Sequence, residues 1–483
     1  MSASGRPLDV EEEISPPGPS KADEGAPLAD SEGAEDEEGE PGGAPGPPGE
    51  AEGAFTAAAL EGSAPERRGG PLRDAARPPN SEARGRNPRL KQRPQDFQVR
   101  EVVDLPEEGA GAAAAAGGEK LYFLHRLTKK KLTTPEAIGR IARRFNVQKS
   151  DIAYGGLKDK QSLSTQIISI KGRAIDWSEP GLHLAPIGRR DRPITSEDVK
   201  ANQFKITVRG LGAADLCDLD RRLDEVRAFG FPNYFDSQRF GSARFGQGFL
   251  ARELVRGDPE SALRLFMATP SPHDHSRDKY IKRIIAERWG DWDGLSHRMR
   301  ASPYGRILGH LAHAPGDFWG AVGYMSRPLR ALHLFAYQSL IWNNSAIFYL
   351  RRKIAKARRF TVPYQCGRLV FYRSLEPAAF EALRETTIPL VGPETRPEDP
   401  EVRAAVARAL ETEGVSVEAF RLPEAAGGFF REEPRKIVCL VSKLEAGAPE
   451  DDELNPGKKK VVLSFELPRG AYGTLLVKRL FRG

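Results

Sequence analysis

Cysteine is scarce in these 483 residues: Cys217, Cys366 and Cys439 are odd in number, widely spaced and free of any CxxC pairing. Reduced thiols and no zinc site are expected. Histidine is also sparse, with eight in all. The pairs in "HDH" at 273–275 and "HLAH" at 310–313 have no thiol nearby, and Asp274 is the only adjacent carboxylate, so no metal is expected there. Long apolar runs are missing, since nothing approaches the roughly 20 residues that a bilayer span needs. The acidic N-terminus has neither the charge nor the apolar centre of a signal peptide, and the chain reads as a cytoplasmic protein. A glycine-rich strand-to-helix fingerprint is lacking too. "GSARFGQG" at 241–248 follows aromatics rather than a strand, which argues against a methyltransferase and leaves no cofactor expected.

What the sequence does have is charge, unevenly divided. Residues 1–50 carry 14 acidic and 2 basic side chains, a net of −12, so the formal +6 of the whole chain leaves +18 for residues 51–483. A basic body of this kind suits a polyanion, because Lys and Arg neutralise phosphates and release counterions. Residues 1–86 are rich in Pro, Gly, Ala and Glu with Phe55 as the only aromatic, and are expected to be a disordered acidic, then basic, tail. It ends in the acid-free run "RGRNPRLKQR" at 84–93.

Order is expected from about Leu90, where Phe97, Val99, Val102 and Val103 suggest a strand. "GAGAAAAAGGE" at 109–119 reads as a loop. "LYFLHRLTKKKLTTPEAIGRIARRF" reads as strand, basic turn and helix, with Thr134 as N-cap, Pro135 at the first helical position, and Ile138, Ile141, Ala142 and Phe145 on one face. In "FKITVRGL", Phe204, Ile206 and Val208 alternate with Lys205, Thr207 and Arg209. A helix is expected over about 214–229. The run "FPNYFDSQRFGSARFGQG" interleaves Tyr234, Phe235, Phe240 and Phe245 with Arg239 and Arg244, a pattern that fits base stacking or a buried aromatic turn. From about 252 to 423 the pattern is mainly helical, most of all over 330–360, and strand character returns toward the C-terminus.

One carboxylate stands out. Asp159 lies between Lys158 and Lys160, just after Gly155-Gly156 and just before the apolar run Gln166 to Ile170. The glycine pair permits unusual backbone angles, so Asp159 is either solvated turn chemistry or a carboxylate held still at a sheet edge for catalysis.

Four motifs, in order, resemble the TruD-type tRNA pseudouridine synthases. "KQRPQDF" at 91–97 is similar to the family's K-x-x-P-x-D-F, and "GGLKDKQSLSTQ" at 155–166 to its G-x-K-D signature. "FPNYFDSQRFG" at 231–241 and "LPRGAYGTLLVKRL" at 467–480 resemble its P-N-Y-F and closing L-P-x-G runs, while "AYQSLIWN" at 336–343 is similar to a helix of its insertion domain. Asp236 stands where the family has Gly, adding negative charge close to where RNA would lie, and Gly473 where it has Ala.

The resemblance implies an α+β fold: a pseudouridine synthase catalytic domain with a mixed, mainly antiparallel sheet, residues 87–250 and 424–483, interrupted by a mainly helical TRUD-type insertion, 251–423. It implies isomerisation of a tRNA uridine, uridine 13 of the D-arm, by a monomer without metal or cofactor. Asp159 becomes the essential aspartate, with Lys91 as its basic partner. Tyr472 would stack on the flipped base, and Asn233 and Phe97 would line the pocket. Lys129, Lys130, Lys131, Arg239 and Arg244 are candidates for holding the RNA backbone. The rival reading is an RNA-binding module or chaperone without catalysis.

Overall fold

The computed structural model describes residues 88–104, 121–241, 248–271, 274–426 and 430–482. The acidic tail, the 109–119 run, His273, Arg244 and Phe245 lie outside the described residues. Strands β1 (Phe97–Val103), β2 (Tyr122–Lys130), β3 (Ile152–Tyr154), β4 (Leu163–Lys171), β5 (Trp177–Glu179), β6 (Leu182–Arg190) and β7 (Val199–Leu211) join three late strands, Ser442–Ala446, Glu450–Asp451 and Lys459–Pro468, in one sheet. Its order from one edge is Ser442–Ala446, Lys459–Pro468, β7, β1, β4, β2, β6, β5, with β3 on β4 and Glu450–Asp451 on Lys459–Pro468. Within it β1 and β4 run parallel and the other pairs antiparallel. The fold is α+β with a mixed, mainly antiparallel sheet, and both ends of the described chain contribute to it.

Helix α1 (Thr134–Phe145) starts one residue earlier than expected. Thr133 is the N-cap, because Glu136 stands three residues on and closes a capping box: Glu136 N donates to Thr133 Oγ1 at 3.2 Å and Thr133 N to Glu136 Oε2 at 2.7 Å. Thr134 is thereby released for another use. The expected helix near 214–229 is two helices, Ala213–Leu216 and Leu219–Phe229. The apolar helix runs Arg327–Lys353 and stops short of Phe360. Its end carries Arg351, Arg352 and Lys353, which suits the negative end of the helix dipole, and a hairpin of Arg359–Tyr364 and Gly367–Tyr372 follows.

Two separate cores cover one face of the sheet. Ile138, Ile141 and Ala142 of α1 pack with Leu127, Ile168, Ile170, Leu182 and Leu184. Phe97 and Val99 of β1 belong instead with Phe204 and Ile206 of β7, the closing helix Gly473–Phe481 and the helical block. The seam between these cores follows β1 and β4, and buried polar side chains fill it: Glu101, Lys129, Thr134, Ser162 and Gln166.

Arg209 departs from its expected solvent-facing alternation. It is buried, with Nε 2.9 Å from Asp96 Oδ1 and a terminal nitrogen 2.9 Å from Asp452 Oδ1, and Glu453 also pairs with it. Burial works against the guanidinium charge, but these three acids hold its pKa above the ordinary arginine value. The clamp ties the 89–97 segment to β7 and to the 450–455 turn.

Candidate active site

Asp159 lies in the loop entering β4, at the polar seam. Gly155 matters there through its missing side chain and not through a positive φ: a Cβ would lie 2.5 Å from Val199 Cγ2 and 2.9 Å from Thr195 O. The loop backbone is held from three sides. Gln166 Nε2 donates to Gly156 O at 3.1 Å, the freed Thr134 hydroxyl accepts from Lys158 N at 3.0 Å and donates to Gln166 Oε1 at 2.8 Å, and Ser162 Oγ donates to Asp159 O at 2.9 Å.

A further hold, from Lys129, corrects the reading of the lysine run. Lys129, expected to touch RNA, is 0 % exposed and points into the seam. Its ammonium donates to Leu132 O at 2.7 Å, Lys158 O at 3.1 Å and Asp159 O at 3.0 Å, so each of its three N–H groups has a carbonyl. Desolvation lowers its pKa to about 8, opposed by the nearby Asp159 charge. Strand alternation decides the difference, since Lys129 shares the α1-facing side of β2 with Leu127, whereas Lys131 is exposed.

The Asp159 carboxylate forms an ion pair with Lys91 and accepts from Gln161 N at 3.2 Å. Lys91 adopts a left-handed backbone, φ 60°, a conformation that costs energy for a side-chain residue and is kept only where surroundings impose it. Asn455 ties down residues on either side of Lys91: its Oδ1 accepts from Arg89 at 2.6 Å and its Nδ2 donates to Gln92 Oε1 at 2.8 Å. The Lys91 ammonium also lies 4.5 Å from the centre of the Phe97 ring. Lys158 turns away from Asp159 and pairs with the buried Glu101, whose Oε2 accepts from Ile167 N at 3.2 Å.

The remaining residues assemble across Phe204. Its ring meets Phe97 edge-on at 6.1 Å, and a Cβ on Gly473 would lie 3.1 Å from it, which accounts for glycine beside Tyr472. Tyr472 in turn meets Phe235 at 6.3 Å. Arg239 lies 5.6 Å from the Phe235 ring centre and donates to Ser339 Oγ at 3.1 Å. Asn233 is bound to Arg435, which donates to its Oδ1 at 2.7 Å and its backbone O at 2.9 Å, reaches Gly470 O at 3.0 Å and stacks 4.2 Å from Phe235. The structure thus forms two neighbouring groups: Lys91, Phe97 and Asp159; and Asn233, Arg239 and Tyr472.

Sequence reasoning missed Arg435 and Asn343, and gave Lys129 a different role. Asn343 grips Phe235 at both backbone groups, accepting from its N at 2.9 Å and donating to its O at 2.8 Å. Its place in "AYQSLIWN" was the one available signal. Tyr234, Phe235 and Phe240 are buried and serve as core. Asp236 is also corrected: it is 3 % exposed, ion-paired with Lys478 and hydrogen-bonded to Thr474. Its charge ties the 231–241 turn to the closing helix instead of facing RNA. A separate cavity of about 640 Å³ is lined by Glu385, Arg396, Asp399 and Glu432 among others, none of them in either group.

Residues 80–480 match the family described as tRNA pseudouridine synthase D (TruD). The chain belongs to the TruD family. It is 33% identical over 402 residues to a Methanocaldococcus jannaschii relative assigned as tRNA pseudouridine synthase D 2, covering 82% of this chain and 92% of the relative. It is 28% identical over 404 residues to the Aquifex aeolicus tRNA pseudouridine synthase D, covering 81% and 98%. The crystal structure of a Methanosarcina mazei protein described as a tRNA pseudouridine synthase D (TruD) superposes with a TM-score of 0.60 at 26% identity, over 83% of this chain and 94% of that one. Among the described residues no helix is long and apolar enough to cross a membrane.

Proposed function

We propose that this TruD-family protein isomerises one uridine of tRNA, uridine 13, to pseudouridine, with Asp159 as the essential carboxylate. The observation that carries the reading is the Asp159–Lys91 ion pair on a polar seam whose backbone is held by Lys129, Thr134 and Gln166. The reaction breaks the N1–C1′ bond, turns the uracil and joins C5 to C1′; the proton on C5 leaves to a base and N1 takes one up, so the product is an isomer. A carboxylate at the seam serves any route at C1′: it stabilises positive charge, attacks the carbon or takes a neighbouring sugar proton. Lys91 holds that carboxylate in place through the ion pair. The uridine leaves its stack at a cost of a few kcal/mol, offset by Phe97 and Tyr472 beside it and by Asn233 and Arg239 along the nucleotide. Residues 87–250 with 424–483 act as the catalytic domain of a cytoplasmic monomer, and 251–423 as the insertion, whose Asn343 positions the Phe235 turn.

The test is incubation of the protein with a tRNA transcript and no cofactor, followed by mapping of pseudouridine; absence of the product at every uridine would overturn the reading. A second expected result concerns Tyr472. Tyr472→Phe keeps most activity, whereas Tyr472→Ala loses stacking worth about 1–3 kcal/mol. Melting temperature and single-turnover rate on both variants decide the matter, and a folded, fully active Ala variant removes Tyr472 from the site.

A further inference from the structure

Strands β1 and β4 have a second face, and it carries unpaired charge. Thr128 Oγ1 and Thr165 Oγ1 lie 3.1 Å apart on it, and Arg100 stands directly across from both Thr165 and Gln203. Arg126, two residues before Thr128 on β2, shares that face, opposite to the one bearing Leu127 and Lys129. Arg100 and Arg126 are both exposed and flank β4, about 10 Å apart by strand spacing. They line a cavity of about 280 Å³ with Thr165, Gln203, Ile187 and Glu101.

Among the described residues neither guanidinium has a hydrogen-bond or ion-pair partner. Arg190 and Arg192 farther along the chain, by contrast, are both held by Asp198, at 3.2 Å and 2.7 Å. The acids nearby are already committed: Glu101 to Lys158 on the active-site side, and Glu466, across from Gln203, to Lys443 at 2.9 Å. Two guanidinium groups without partners, with the Thr165 hydroxyl on the strand between them and the Gln203 amide on the far side of Arg100, match phosphate, which arginine takes through paired N–H groups.

We propose that this groove binds a phosphodiester of the substrate RNA, on the sheet face opposite the candidate active site, as a second anchor for a large folded RNA. The inference rests on the proposed tRNA substrate. The cavity is polar and small, which suits a phosphate and its ribose better than a protein side.

The experiment compares full-length wild type with Arg100→Ala/Arg126→Ala and Arg100→Lys/Arg126→Lys, measuring tRNA affinity from about 50 to 200 mM salt, with melting temperature as the folding control. The Ala pair is expected to lose about tenfold in affinity and to flatten the salt dependence by about two phosphate contacts, whereas the Lys pair retains most of the slope because the charge persists. An unchanged slope in a folded Ala pair overturns the groove. Tighter binding by the Ala pair also overturns it. Pseudouridine formation by wild type is followed in parallel: an active wild type with an unchanged slope refutes the anchor alone, whereas an inactive one refutes the functional reading.

Discussion

Asp159→Asn is expected to fold, bind tRNA and form no detectable pseudouridine. The loop around it is held through backbone atoms: Lys129 and Ser162 donate to the Asp159 carbonyl, and Thr134 and Gln166 hold Lys158 and Gly156. None of these contacts uses the carboxylate. What the amide removes is the negative charge that Lys91 faces. The two side chains are 17% and 19% exposed, so the pair is largely buried and losing it costs about 1–3 kcal/mol of stability, while Lys91 retains the Phe97 ring. Loss of an essential nucleophile or charge in other enzymes lowers the rate by roughly 10⁴ to 10⁶. Tritium release from C5-labelled uridine in tRNA, under single-turnover conditions, provides the measurement. Activity within about tenfold of wild type would falsify the role given to Asp159.

Lys129 is expected to matter almost as much, without touching RNA. Lys129→Met deprives the carbonyls of Leu132 and Lys158 of their Nζ donor, each buried orphan costing about 1–3 kcal/mol, partly offset because a buried charge is also removed. A shift of the loop by about 1 Å is enough to lower the rate about 10²-fold. The wild-type pH profile carries a related signature. The Lys129 pKa is lowered in the fold from 10.5 to about 8, mainly by desolvation, with Asp159, Lys158, Glu136 and Glu101 as the charges facing it. Between about pH 8 and 10.5 the unfolded chain therefore binds more protons at this site than the folded one, and this group's contribution to stability rises with pH. The grip on the loop changes in the opposite sense. A neutral amine has two N–H groups for three carbonyls, so turnover is expected to fall above about pH 8 without a fall in melting temperature from this group. Unchanged turnover in a folded Lys129→Met, or a rate that falls only with unfolding, would remove this role.

Much was legible in the sequence because it rests on local rules. Apolar alternation in 97–103 and 204–211 marks strands, the second of which begins earlier, at Val199. The nearly all-apolar centre of 330–360 marks a buried helix, which runs Arg327–Lys353, and the four motifs in order carry the family, which 33% identity over most of the chain bears out. The family resemblance, and no local rule, paired Asp159 with Lys91. Local rules did not reach the contacts that join distant segments. Lys129 looked like one of three solvated lysines, yet side-chain alternation sends it into the seam, and the three carbonyls that offset its burial come from residues up to 30 positions away. Asp236 looked like stray charge, and only the return of the closing helix brings Lys478 and Thr474 to it. Arg435 and Asn343 hold the 233–235 turn from more than 100 residues along the chain. Composition and periodicity determined which elements form and which family they belong to; the tertiary structure decided which charges are buried, because a buried charge persists only where folding delivers its partners.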